Sequence, residues 1–329
     1  MSGDSGTLRI QLLGPVRAWR GGQELRIGSP QRRAVLAMLA MRGGRPVAAS
    51  EIARGLAAGP PARRASSRVA AHVTGLRRVL EGCSTGGAVP AGSALAGPVL
   101  EGPALAGGHP GYLLWLDATG MDAGLLDGDL ASARGWCAAG RLHSAARALD
   151  AAVARFRGQP LHAVPGPWAA AERERLAELR LAVLEERVEV MLALGRHHEA
   201  VPVLTGLIRE HPQRERFLGQ LMVALYRSGR RAEALAQFTE ARPVPAGQPA
   251  TPPGAGLLRL QLQILTGDTA LMPMLPPGSG LPAGGLPGSA LPGGARPGSG
   301  LPRGISQEAA AADRWRRSAA PPRVPRAAR

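Results

Sequence analysis

Apolar residues alternate with polar ones at the start of the chain. In LRIQLLGPVRAWRGGQELRIG, residues 8–28, Leu8, Ile10 and Leu12 are separated by Arg9 and Gln11. A period of two marks a strand with one face buried, and Gly21-Gly22 marks a hairpin turn. The period then lengthens. Ser29 and Pro30 start a helix, QRRAVLAMLAMR, that carries Val35, Met38, Leu39 and Arg42 near one face and stops at Gly43-Gly44. A short helix follows from Ser50, its expected N-cap, through Leu56. After Pro60-Pro61 a third helix runs from about Ala62 to Leu80, with Val69, Val73, Leu76 and Leu80 at steps of four, three and four. That spacing is one buried stripe. GYLLWLD, from Gly111, returns to strand character. Strands, three helices and a returning hairpin predict a winged helix-turn-helix, with the turn Gly108–Tyr112 as the wing and Tyr112 in the core.

From about Ala123 to Glu240 the pattern is helical. AERERLAELRLAVLEERVEVMLALG presents Leu176, Leu179, Val183, Leu184, Val188, Met191 and Leu194 as an apolar stripe. A motif recurs here. GRLHSA begins at Gly140, GRHHEA at Gly195 and GRRAEA at Gly229, each with Ala five residues after Gly: Ala145, Ala200 and Ala234. Gly195 and Gly229 are 34 residues apart, the period of a tetratricopeptide helix hairpin. Gly permits the tight turn and Ala the close packing of the next helix. Pro212 falls where the second hairpin should end. GLLRLQLQILTGD, Gly256 to Asp268, predicts one more helix, stopped at Gly267. Residues 273–304 are low-complexity Leu, Pro and Gly, expected to be disordered, and the chain closes on RWRRSAAPPRVPRAAR.

The doublet His197-His198 inside GRHHEA raises the question of a metal site. Helix-borne zinc ligands sit at i and i+4, on one face, whereas adjacent histidines diverge. No Cys or second His pair completes a set, so no metal is expected and both histidines are assigned to a solvated turn between helices.

Charge changes the picture more than composition does. The net charge is +16, and every one of the 40 basic residues is Arg. The absence of Lys excludes lysine chemistry, including the phosphate-binding P-loop. Residues 1–81 carry 14 Arg against 4 acids, whereas residues 112–241 carry 16 of each. A basic first domain beside a neutral helical one points to a polyanion partner for the first alone. Cys83 and Cys137 stand apart with no CxxC, which fits a reducing, cytoplasmic setting. No leader and no membrane span is expected. Asp122, Asp127 and Asp129 cluster at a helix entry, where acids suit the helix dipole. HExxH is absent and no zinc ligand set is found, so neither an enzyme nor a cofactor is expected.

The order of these motifs resembles the SARP family, the actinobacterial antibiotic regulatory proteins. In the first domain the resemblance rests on LRIQLLGPVRAW, SPQRRAVLAMLAM and HVTGLRRVL. In the second it rests on PWAAAERERLAELRLAVLEERVE, ALGRHHEAVPVLTGLIREHPQRERF, LMVALYRSGRRAEALAQF and ILTGDTAL. The family implies an α+β fold: an OmpR-type winged helix over residues 1–118, an all-α tetratricopeptide-like transcriptional activation domain over 119–270, and a disordered Pro/Gly-rich and Arg-rich tail over 271–329. It implies a sequence-specific regulator, an activator of a biosynthetic gene cluster, whose partners are double-stranded promoter DNA, RNA polymerase and a second copy of the chain. The third helix would enter the major groove, with Arg68, Thr74 and Arg77 near bases and Arg63, Arg64, His72 and Arg78 at phosphates. Ser67 joins this DNA-binding set. The alternative reading is a helical-repeat protein-interaction adaptor with a degenerate winged helix.

Overall fold

The computed structural model describes residues 8–57, 65–80, 100–101, 111–116, 118–240, 253–268 and 271. The expected tail therefore lies outside the described residues, apart from Leu271. The described residues fall into two compact units, Met1–Ser132 with Arg147–Glu186, and Ala133–Ala146 with Arg187–Arg329.

The first unit opens with β1 (Leu8–Gln11), β2 (Arg17–Arg20) and β3 (Gln23–Leu25), an antiparallel sheet in chain order. Ile10 stands opposite Ala18, and Trp19 opposite Glu24. Gly21 and Gly22 turn the hairpin with φ of 56° and 83°. Two successive left-handed residues make the turn type whose twist matches the strands, and glycine adopts it without strain. Gln11 departs from the expected alternation. It is buried, because its Nε2 donates to the Pro15 carbonyl at 3.1 Å and so meets its polar requirement inside the fold.

Helix α1 (Pro30–Met41) begins as the sequence predicts: the Ser29 hydroxyl accepts the Arg32 amide at 3.3 Å and Pro30 occupies the first turn. Val35, Met38 and Leu39 are buried. Arg42 is not on that buried face. It sits at the C-cap, half exposed, and ion-pairs with Glu51. Ser50 is not a cap either. Val47 and Ala48 form a short strand, β4, opposite Tyr112 and Gly111, so α2 (Ala49–Leu56) starts directly from the sheet with Ala48 at its N-cap. Helix α3 is described from Ala65 to Leu80, and all four residues of its expected stripe are at most 1% exposed. Strand β5 (Leu100–Glu101) and β6 (Gly111–Leu114) complete a second sheet of order β4-β6-β5. Tyr112 is half-buried in it rather than fully in the core.

Helix α4 (Asp122–Ala138) is tied to the first sheet through its first residue. The Asp122 carboxylate accepts the Leu12 amide at 2.8 Å and the Leu13 amide at 2.9 Å. After α5 (Leu142–Arg155) the chain makes a tight loop against the same strand end, with the Arg157 amide donating to Leu13 O at 2.7 Å and the Leu161 amide to Leu12 O at 2.9 Å. Leu161 and Ala163 hold φ of 50° and 59°, a left-handed conformation unfavourable for residues with a Cβ. Burial of Leu161 and Val164, and an Arg173 guanidinium donating to both their carbonyls, offset that cost. Helix α6 (Pro167–Ala193) starts against α2: a Cβ on Gly166 would stand 2.4 Å from the Gly55 carbonyl. Only a glycine allows this approach.

The second unit contains α7 (His197–Glu210), α8 (Glu215–Arg227), α9 (Arg231–Glu240) and α10 (Ala255–Thr266). The three Gly-Arg motifs share one geometry. Gly140, Gly195 and Gly229 have φ of 74°, 78° and 77°. The amides of Arg141, Arg196 and Arg230 reach back to Trp136, Met191 and Leu225 at 2.8–3.0 Å. These are Schellman closures, which satisfy the last carbonyls of each helix. Ala145, Ala200 and Ala234 are fully buried, as the packing argument requires. Gly267 ends α10 in the same left-handed conformation, at φ 71°. His197 corrects the sequence expectation: it begins α7 and is only 7% exposed, because the helix starts at once after Arg196 and turns its first side chain inward. His198 is exposed.

Candidate nucleic-acid interface

The first unit concentrates Arg on and around three helices, and α3 divides into a buried and an exposed face. Burying Val69, Val73, Leu76 and Leu80 leaves Ser67, Ala71, Thr74 and Arg78 exposed at the same steps of four, three and four, on the opposite side. Arg68 is exposed beside that line. His72 and Arg77 lie on its two flanks, each half-buried. Arg63 and Arg64 lie outside the described residues, as do Gly108, His109 and Pro110 of the expected wing. Ser67, Arg68, Thr74 and Arg78 are therefore brought onto one accessible face, and His72 and Arg77 border it.

A feature the sequence reading missed sets this face. Gly75 is buried although it is helical, and a Cβ there would come within 2.6 Å of the Arg32 guanidinium of α1. Glycine costs helix stability, roughly 1 kcal/mol against alanine, and here it makes room for a long side chain crossing from the neighbouring helix. The Arg32 Nε is buried without a hydrogen-bond partner. Burial first, and the Arg32 charge second, hold the His72 imidazole below its ordinary pKa, so it is neutral at pH 7. A glycine inside an otherwise regular helical pattern was the available signal for a close approach, but nothing in it named Arg32.

Trp115, just after β6, is 54% exposed and stacks its ring edge over Gly44, where a Cβ would stand 3.4 Å from it. In GRHHEA, His197 is buried and His198 exposed, so the two side chains diverge; among the described residues no group of three or more His, Cys, Asp or Glu could hold a metal ion. Asp129 is engaged by Arg155 at 2.9 Å and Asp122 by backbone amides, so these two acids serve the fold. No helix among the described residues is long and apolar enough to cross a membrane.

Residues 121–265 match the bacterial transcriptional activator domain. The chain is 41% identical over 273 residues to the regulatory protein AfsR of Streptomyces coelicolor, covering 82% of this chain and 25% of that protein. It thus spans about a quarter of the length of the AfsR proteins it matches. With the regulatory protein DnrI of Streptomyces peucetius it shares 31% identity over 268 residues, 80% of this chain and 94% of that protein. Among solved structures, Mycobacterium tuberculosis EmbR, in complex with a low affinity phosphopeptide, superposes with a TM-score of 0.67 at 28% identity, over 79% of this chain and 65% of that one. A match that spans nearly all of DnrI, together with the activator domain, means that the chain belongs to the SARP family of regulatory proteins.

Proposed function

We propose that this protein is a sequence-specific DNA-binding transcriptional regulator. Residues 1–118 act as an OmpR-type winged helix and residues 119–270 as the activation domain. The observation that carries the reading is the outward line Ser67, Thr74 and Arg78, with Arg68 beside it, on a helix whose other face is fully buried in a basic unit. A helix of this kind fits the major groove, and an Arg guanidinium matches the paired acceptors of guanine. Arg68 and Thr74 face bases; Arg63, Arg64 and Arg78 neutralise phosphates. Neutral His72 donates a single N–H from the flank, and Arg77 reaches the groove from the other side. The helical domain presents the surface for RNA polymerase and for a second copy on repeated sites. Relatives named as regulatory proteins support activation of a biosynthetic gene cluster as its role.

The test is a salt-dependent gel shift on the gene's own upstream region against a scrambled duplex. A preference for the native duplex that persists at physiological salt is expected, and Arg68→Ala should weaken it by about 1–3 kcal/mol. Equal, salt-sensitive retention of both duplexes would instead mean a polyanion patch, and the helical-repeat adaptor reading would replace this one.

A further inference from the structure

The accessible face of α3 is bordered by a row at steps of four, three and four: Arg68, His72, Gly75 and Val79. The row lacks a side chain at Gly75, and Arg32 of α1 fills the gap. A Cβ on Gly75 would stand 2.6 Å from both the Cζ and the Nε of Arg32 and 2.8 Å from its Nη2. Gly28 closes the other side, where a Cβ would stand 3.2 Å from Nη1. The guanidinium thus lies in a slot between two glycines, and the Arg32 amide is anchored by the Ser29 hydroxyl at 3.3 Å. The Nε is covered, yet the residue as a whole is only half-buried and reaches the surface. Its charge is felt at His72, the neighbour of Gly75 along the row.

Covering the Nε of a cation without giving it a partner costs free energy, and so does a glycine inside a helix. Both costs fall at one point of the fold, and an anion against the guanidinium would offset them. Guanidinium binds phosphate through two parallel hydrogen bonds, and a slot that fixes its plane reduces the freedom lost on binding. Resting on the reading of α3 as a helix in the major groove, we propose that Arg32 is a further DNA-contact residue. In place of the side chain missing at Gly75, α1 supplies a guanidinium that binds a backbone phosphate at the edge of the groove. Arg68 is exposed and can extend to bases, whereas Arg32 is half-buried in its slot and has a short reach. Its partner is the phosphate strand passing over α3, so it strengthens binding without reading sequence.

Gel shifts of the full chain on the upstream and scrambled duplexes, over a range of salt, test this with two variants. Arg32→Met keeps the apolar stem and drops the charge. It should weaken retention of both duplexes by the same factor, about three- to tenfold, and reduce the logarithmic salt slope by about one. Its melting temperature should equal or exceed that of the wild type, because the covered Nε is gone, whereas a packing role alone would lower it. Arg32→Ala combined with Gly75→Arg moves the guanidinium onto α3, into the space Arg32 vacates, and should restore binding to within about twofold of the wild type. Should Arg32→Met melt early, this double variant decides. Wild-type retention of neither duplex would overturn the DNA-binding reading and this inference together. Wild-type binding that is unchanged in Arg32→Met would overturn this inference alone. A loss confined to the upstream duplex, or a double variant that binds no better than Arg32→Met, would do the same.

Discussion

The Asp122 carboxylate joins two parts of the chain 110 residues apart, accepting the Leu12 amide where β1 ends. Burial is the largest influence on it and lifts its pKa, against the pull of the Leu13, Leu12 and Ala123 amides and of Arg157. Asp122→Ala would leave two amides without their acceptor and should cost about 2–4 kcal/mol in urea unfolding. His197 carries a pH dependence. Its Nδ1 is buried without a partner, and burial first, then Arg227 and His198, lower its pKa. The unfolded chain protonates this histidine from its ordinary value near 6.5, while the folded chain resists. Stability should therefore be fully present above pH 6.5 and fall as pH drops toward the folded pKa. His197→Leu should flatten that acid-side loss, read from unfolding midpoints at about pH 5.5 and 7.5. An unchanged pH profile in the variant would remove His197 as the cause.

Each helix hairpin of the second unit repeats one device. A left-handed glycine closes the helix, the following Arg amide reaches back, and a buried Ala seats the next helix. Arg196 then pairs with Glu199, and Arg230 with Glu233, three residues into the new helix. These pairs are exposed and steer local geometry more than they stabilise. The device makes opposite predictions for two glycines. Gly195→Ala forces a Cβ into φ 78° and should destabilise by about 1–2 kcal/mol. Gly206 lies inside α7 with open space around its Cβ position, so Gly206→Ala should stabilise by up to about 1 kcal/mol. Thermal unfolding of the two variants side by side checks both. On α3 the logic is reversed: Gly75→Ala collides with Arg32 and should disturb the α1–α3 packing.

Across the molecule, charge is divided by position: an excess of ten Arg over residues 1–81, and balance over residues 112–241. If the first domain binds DNA, affinity should fall with salt at a logarithmic slope of about −3, the release expected for three or four phosphate contacts. Arg64→Ala should reduce that slope by about one, uniformly across DNA sequences. Truncating the chain after Leu271 removes an Arg-rich tail and checks how much of the slope belongs to it.

Much of this architecture was legible in the residues. The hairpin at Gly21-Gly22, the Ser29 cap, the stripe on α3, the Gly-Arg-Ala hairpins and the stop at Gly267 all follow from local rules of period, capping and left-handed glycine. They could be read because each depends on neighbours a few positions away. The Asp122 tie, the Arg32 side chain over Gly75 and the burial of His197 could not. Each depends on which remote segment arrives, and a side chain's neighbours across a fold leave no period in its own stretch of chain. The same limit applied at α2, where Ser50 had the right chemistry for a cap but a strand pairing with β6 started the helix two residues earlier than capping preference alone would place it. Local chemistry set the elements and their ends; packing between distant segments set which polar groups are covered and which are shared.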